Sequence, residues 1–272
     1  MEFRFESIAV TVDGRIGHIQ LNRPESRNAV TDVMLSELAA AARELDLIPG
    51  VDVVLLDGAG EAFCTGADVV NFENFLGRST KADTNLVGGA ERASALARLG
   101  RNALDALEGM RAITISSVRG YAIGAGALLA GSADLRVFTS DAYIWIPEID
   151  IGAPLLWGGI PRLVREFGPA RTKSLIMTCR KIPSPEALAL GFATQVVPAE
   201  ELDRAIAELT DNLLGKAPWV LRATKEHVNA IAAVMAAGDT SFADVHIGTA
   251  SWLDPRVREV ATDFTRSFRD RD

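Results

Sequence analysis

The chain has 272 residues, 48% hydrophobic and 24% charged, a balance that can bury a large core and suits one α/β core with a helical extension. Acidic residues outnumber basic ones, 36 to 28, for a formal net charge of −8, which argues against non-specific nucleic-acid binding because that needs a positive surface to displace counterions. Cys64 and Cys179 lack a metal-ligand spacing and read as reduced cysteines of a cytoplasmic protein; Met1 to Glu6 has no apolar signal core, and the longest apolar run, Tyr121 to Ala133, is too short for a bilayer.

Ser7 to Leu21 reads as a β-hairpin, with Ile8, Val10, Val12 and then Ile16, Ile19, Leu21 flanking the turn dipeptide Asp13-Gly14. A polar loop, Asn22 to Asn28, follows, and Thr31 is placed to cap a helix whose Val33, Met34, Leu35, Leu38, Ala41, Ala42 and Leu45 recur at helical spacing. Val51 to Leu56 is an uninterrupted apolar run, as expected of a strand buried on both faces. Ala90 to Leu107 is predicted helical, Ala112 to Val118 a strand, Gly124 to Ala130 a short buried helix, and Leu135 to Thr139 and Ala142 to Ile146 further strands. This rhythm is that of stacked parallel crossover units. Beyond Gly158 the character turns to helix upon helix with one short apolar run, Ala193 to Val197; helices are expected over residues 198–214, 219–236, 240–251 and 254–268. No linker, repeat or low-complexity stretch divides the chain.

Three segments have the residues for chemistry. Gly58 to Asp68 is a glycine-containing loop directly after a buried strand, a position where parallel folds bind ligands, although an ordinary strand-to-helix loop reads the same way. Gly120-Tyr121-Ala122-Ile123-Gly124-Ala125-Gly126-Ala127 turns from a strand into an apolar helix and offers unpaired N–H groups to an anionic oxygen. A dinucleotide fingerprint fails there because Leu129 stands at its third glycine, and no Gly-Lys-Ser/Thr follows to make a P-loop. In Ile146-Pro147-Glu148-Ile149-Asp150-Ile151-Gly152 two carboxylates sit among apolar residues, with Ala153 to Trp157 just downstream; such surroundings raise a carboxyl pKa toward neutrality and suit an acid/base, while a salt-bridged or capping pair is the alternative. His18 reads as a strand-surface residue, His227 and His246 as helix-surface or subunit-contact residues, and Trp145 and Trp157 as core, with a pocket wall near Glu148 as the alternative for Trp157.

In order and spacing these segments resemble the enoyl-CoA hydratase/isomerase (crotonase) superfamily over nearly the whole chain. The resemblance rests on Leu21-Asn22-Arg23-Pro24 with Asn28-Ala29, Phe63-Cys64-Thr65-Gly66-Ala67-Asp68, Gly120 to Gly124, Ala133-Asp134, and Pro147-Glu148 followed by Gly152. It implies a crotonase-like (ClpP/crotonase) α/β core of stacked ββα units over residues 1–200, binding acyl-CoA, and a C-terminal helical trimerisation region over residues 201–272. It also implies a homotrimer or hexamer in fatty-acid metabolism, with no cofactor beyond the coenzyme A of the substrate, no metal, no nucleic acid and no membrane. The family holds the thioester carbonyl between two backbone N–H groups, which on this chain fall to Ala67 and Ala125; the latter stands where the family more often has glycine. Ser26, Arg27, Ala29, Thr65, Asp68 and Val69 would line the adenine and pantetheine path, and Tyr121, Gly124, Leu128, Pro147 and Trp157 the rest of the substrate site. A lysine frequent in the family is replaced by Val70, which leaves Arg23, Arg27 and Lys225 as candidates for the CoA phosphates.

One departure changes the implied reaction. Hydratases of this family use two glutamates; the second matches Glu148, but Leu128 occupies the position of the first. Moving a double bond from the 3,4 to the 2,3 position needs only one base, and the Δ3,Δ2-enoyl-CoA isomerases that this chain resembles pair the Glu148 counterpart with an apolar residue at the Leu128 counterpart. Dienoyl-CoA isomerases would want acids at Leu128 and Leu156, and aryl-CoA dehalogenases a tryptophan at Glu148 and an aspartate at Leu156. The expectation is therefore an enoyl-CoA isomerase with Glu148 as shuttling base, and the alternatives are a hydratase of low efficiency or a non-catalytic acyl-CoA-binding protein.

Overall fold

The computed structural model describes residues 3–68, 86–235, 242–251 and 254–269. Strands β1 (Ile8–Asp13) and β2 (Ile16–Leu21) form the expected antiparallel hairpin, with Asp13 paired to Ile16 across a two-residue turn. Gly14 opens that turn at φ 55, a backbone angle available to glycine without strain. The hairpin is the antiparallel edge of a six-stranded sheet that continues in parallel through β3 (Val53–Gly58), β4 (Ile113–Val118), β6 (Leu135–Thr139) and β9 (Gln195–Val197).

Both faces of this sheet are covered, which explains the unbroken apolar runs in its strands. Val54 and Leu56 of β3 point into the main core beneath helices α1 (Asp32–Asp46) and α2 (Leu86–Glu108). Val53 points to the opposite face, with Ile113, Ile115, Val137 and Val197, under Leu202, Ala205, Ile206 and Leu213 of helix α7 (Leu202–Leu214). The α1 N-terminus is capped as its sequence foretells, with Thr31 accepting from the Met34 amide at 3.1 Å.

A second, three-stranded sheet runs beside the first: β5 (Tyr121–Ile123), β7 (Tyr143–Trp145) and β8 (Ile182–Pro183). Single bridges extend its pattern, Cys64 to Ala122 and Val30 to Ala67. Each repeat thus places one strand in the large sheet, a short one in the small sheet and then a helix, the stacked ββα arrangement expected. Helix α3 (Ala125–Gly131) follows β5. Helices α4 (Gly159–Phe167), α5 (Pro169–Thr178) and α6 (Ser184–Ala189) occupy the stretch read only as helical, and β8 within it was not foreseen because two residues carry no periodicity.

The last helices are α8 (Pro218–Met235), α9 (Phe242–Ser251) and α10 (Pro255–Arg269). They fold back onto their own core. Asp244 of α9 accepts a hydrogen bond from the Gly158 amide at 2.7 Å, and α10 lies against Gly152, where a β-carbon would stand 2.9 Å from the Val257 carbonyl oxygen. Among the described residues no helix is long and apolar enough to cross a membrane, and no cluster of His, Cys, Asp and Glu suits a metal ion.

Candidate active site

The loop Gly58 to Asp68, which leaves β3, is held in place by the loop before α1. Asn28 is fully buried at φ 57, a left-handed value that asparagine tolerates better than most residues. Its side-chain amide donates to the carbonyls of Ala59 and Ala62, both at 2.9 Å, and of Phe63 at 3.1 Å, while its oxygen accepts from the Arg23 amide. Further along, the Val30 amide donates to Gly66 O at 2.8 Å and the Asp68 amide to Val30 O at 2.9 Å. The residue between those two bonds is Ala67. Its own N–H has no partner among the described residues.

The second donor arises from the β5–α3 turn. Gly124 adopts φ 50 and ψ −112 and precedes the first residue of α3. As that first residue, Ala125 has no intrahelical acceptor for its N–H, and none is supplied among the described residues. The two turns meet: a β-carbon on Gly66 would lie 3.9 Å from the Ala125 nitrogen.

Glu148 closes the site. It follows β7 in a turn in which the Ile151 and Ala153 amides donate to its carbonyl oxygen. Its carboxyl presses on Gly124, with Oε1 2.5 Å from where a β-carbon there would be. The other oxygen, Oε2, is buried with no hydrogen-bond partner among the described residues. Desolvation therefore dominates and pushes the carboxyl up to about 7, opposed in part by a bond to its own backbone. Asp150, its neighbour in sequence, is exposed. Leu128, one turn into α3, is buried against Leu155 and Gly159. It contributes methyl groups and no polar atom.

The remaining expected residues divide. Ala29 is buried, and its carbonyl accepts from Arg23; Thr65 donates its amide to Arg27 O at 3.0 Å. The Ser26 hydroxyl bonds back to Arg23 O at 3.1 Å. Arg27 and Tyr121 line a cavity of about 670 Å³ with Pro24, Glu25 and Glu61, and Tyr121 also packs on Tyr143 with ring centroids 5.6 Å apart. Pro147 is buried and accepts the Ile151 amide. Asp68 forms an ion pair with Arg23 at 3.0 Å. The Trp157 indole, on a backbone at φ 61, is buried against Gly100 of α2. Val69 lies outside the described residues.

Lys225 is not at the site. Its ammonium donates to Ala112 O at 2.9 Å and pairs with Asp134 at 2.7 Å. Ala112 precedes β4, whereas the site forms beyond the other end of that strand. Cys64, inside the first loop, is buried and pushed up to about 12, so it remains a neutral thiol; it donates to Asn28 O at 3.1 Å. Sequence reasoning recorded Asn28 as part of a motif but missed its work as a hub; the available signal was a short amide side chain flanked by residues the loop had to hold.

Two amides without a partner among the described residues, beside one buried carboxyl, make a candidate site suited to an oxyanion formed by proton abstraction. A family model described as enoyl-CoA hydratase/isomerase matches residues 11–249. A probable enoyl-CoA hydratase of Mycobacterium tuberculosis is 35% identical over 225 residues, 83% of this chain and 82% of that protein. A peroxisomal Delta(3,5)-Delta(2,4)-dienoyl-CoA isomerase of Arabidopsis thaliana is 30% identical over 81% of this chain and 79% of its own length. A Thermobifida fusca structure solved with acetoacetyl-CoA, of a protein named as a candidate enoyl-CoA hydratase, superposes with a TM-score of 0.72 at 30% identity and covers 94% of each chain. The chain belongs to the enoyl-CoA hydratase/isomerase family.

Proposed function

We propose that the protein binds an enoyl-CoA and moves its double bond by one-base proton shuttling. Glu148 removes a proton from C2 of a 3-enoyl thioester, the negative charge passes to the thioester oxygen between the Ala67 and Ala125 amides, and the same carboxyl returns the proton at C4. No atom is gained or lost. The observation that carries this reading is Leu128: the buried residue beside the site on α3 is a leucine, so no second carboxyl from that helix orients a water. Each preorganised donor to such an oxyanion contributes roughly 3 kcal/mol to the barrier reduction, and a base near neutrality has the right balance of ionisation and basicity.

The relatives' names include both hydratases and an isomerase, so the test separates the two reactions. Turnover of a 3-enoyl-CoA well above hydration of crotonyl-CoA, abolished in Glu148→Gln, is the expected result. Hydration as fast as isomerisation, or a Glu148→Gln enzyme with undiminished turnover, overturns it. Tight acyl-CoA binding with neither reaction identifies a binding protein instead.

Assembly is part of the same proposal. In the single chain α8 exposes Trp219, Val220, Val228, Ile231, Val234 and Met235, an apolar surface of the kind that subunit contacts cover. Light scattering is expected to give a trimer or a hexamer.

A further inference from the structure

The first oxyanion donor is carried by a residue that offers no side-chain anchor. Ala67 is exposed, and the direction of its amide is set by its neighbours. On one side Gly66 O is held by the Val30 amide; on the other, the Asp68 amide is held by Val30 O. Beyond these, as Asn28 ties the loop before α1 to Ala59, Ala62 and Phe63, a second side chain ties it to Asp68. The Arg23 guanidinium, through Nη1, donates to Ala29 O at 2.6 Å and to Asp68 Oδ2 at 3.0 Å. Arg23 itself is fixed at its amide by the buried oxygen of Asn28. Its side chain is 25% exposed and that of Asp68 15%, so solvent screens the pair less than one at the open surface.

We propose that Arg23 is a positioning residue for the reaction: its bonds to Asp68 and Ala29 fix the direction of the Ala67 N–H. A donor aimed at the oxyanion works only at hydrogen-bond geometry, and a misplacement of about 1 Å costs up to roughly 100-fold in rate. That geometry bears little on the uncharged ground-state thioester. This inference rests on the acyl-CoA reading of the site, but not on which reaction the enzyme performs.

The test uses acetoacetyl-CoA, whose enolate has its own near-ultraviolet absorption band, with butyryl-CoA as a ligand that cannot enolise readily. Wild type is expected to bind both and to lower the pH at which bound acetoacetyl-CoA enolises. In Arg23→Met and Asp68→Asn that pH rises and kcat falls roughly 10- to 100-fold, while butyryl-CoA binding stays within about threefold and the folded state is retained by circular dichroism. The double variant falls no further than the worse single one, and Arg23→Lys recovers part of the loss. Unchanged enolisation in both variants overturns the proposal. Equal losses in butyryl-CoA and enolate binding also overturn it, because Arg23 then acts as a ligand contact. A wild type that binds neither thioester sinks the acyl-CoA reading itself, and this inference with it.

Discussion

The carboxyl of Glu148 fills the space that a side chain on residue 124 would need: its Oε1 stands 2.5 Å from the β-carbon position of Gly124. The same glycine holds φ 50 and ψ −112 and leads directly into the free amide of Ala125. The proposed acid/base and the proposed oxyanion donor are therefore packed against one another through a residue that has to be glycine for two reasons, backbone angle and space.

Gly124→Ala is accordingly expected to lose at least roughly 100-fold in kcat, since the methyl displaces the carboxyl and the strained turn re-aims the donor. The backbone conformation alone costs about 1–2 kcal/mol. Steady-state kinetics and thermal melts on the same preparation check both.

A second expectation follows from the raised carboxyl. The base has to be ionised, so kcat/KM climbs with pH through about 7 and levels off above it. Stability runs the other way. Because burial raises the group from 4.5 to about 7, the native state binds more protons than the unfolded chain in that window, and stability falls as pH rises through it. Glu148→Gln has no charge to bury, so it melts above wild type at pH 8, by about 3 kcal/mol at most, with the gap closing near pH 5. A constant gap across that range would count against the assignment.

Leu128→Glu tests the meaning of the missing carboxyl. The new side chain enters a pocket made by Leu155 and the α-carbon of Gly159, at a cost of about 2–4 kcal/mol. Hydration of crotonyl-CoA is expected to rise roughly tenfold or more over wild type while isomerisation falls. Coupled assays for the two products on one enzyme stock measure the exchange.

Lys225→Met separates a structural lysine from a phosphate ligand. Removing the ammonium leaves Asp134, among the described residues, with the Thr114 amide and hydroxyl only. Breaking a buried pair in this way costs about 3–5 kcal/mol. The melting temperature should drop sharply, and the affinity of the folded protein for coenzyme A should not change.

Much of this architecture was legible in local sequence. The hairpin, the cap at Thr31, the central strands and helices α1, α2, α3 and α7 to α10 are encoded by periodicities and turn residues within ten or twenty positions. So was the outline of the candidate site, a lone Glu148 in an apolar frame, two glycine-bearing turns after strands, and a leucine at position 128. These signals survive in one dimension because backbone angle, side-chain size and charge type are properties of single residues.

The partners of the long polar side chains and the large aromatic were decided only in three dimensions. Lys225 reads from the sequence as one cation among several, and it is the 113 positions between it and Ala112 that the fold closes to bury it far from the site. Asp68 reads as a substrate contact, yet Arg23, 45 residues earlier, claims it. Trp157 reads as core or as a wall of the pocket, and only the fold shows that its indole lies on Gly100. The physical reason is common to all three: a flexible charged group or a broad ring takes whichever partner the packed chain brings nearest, and that proximity is a product of tertiary structure.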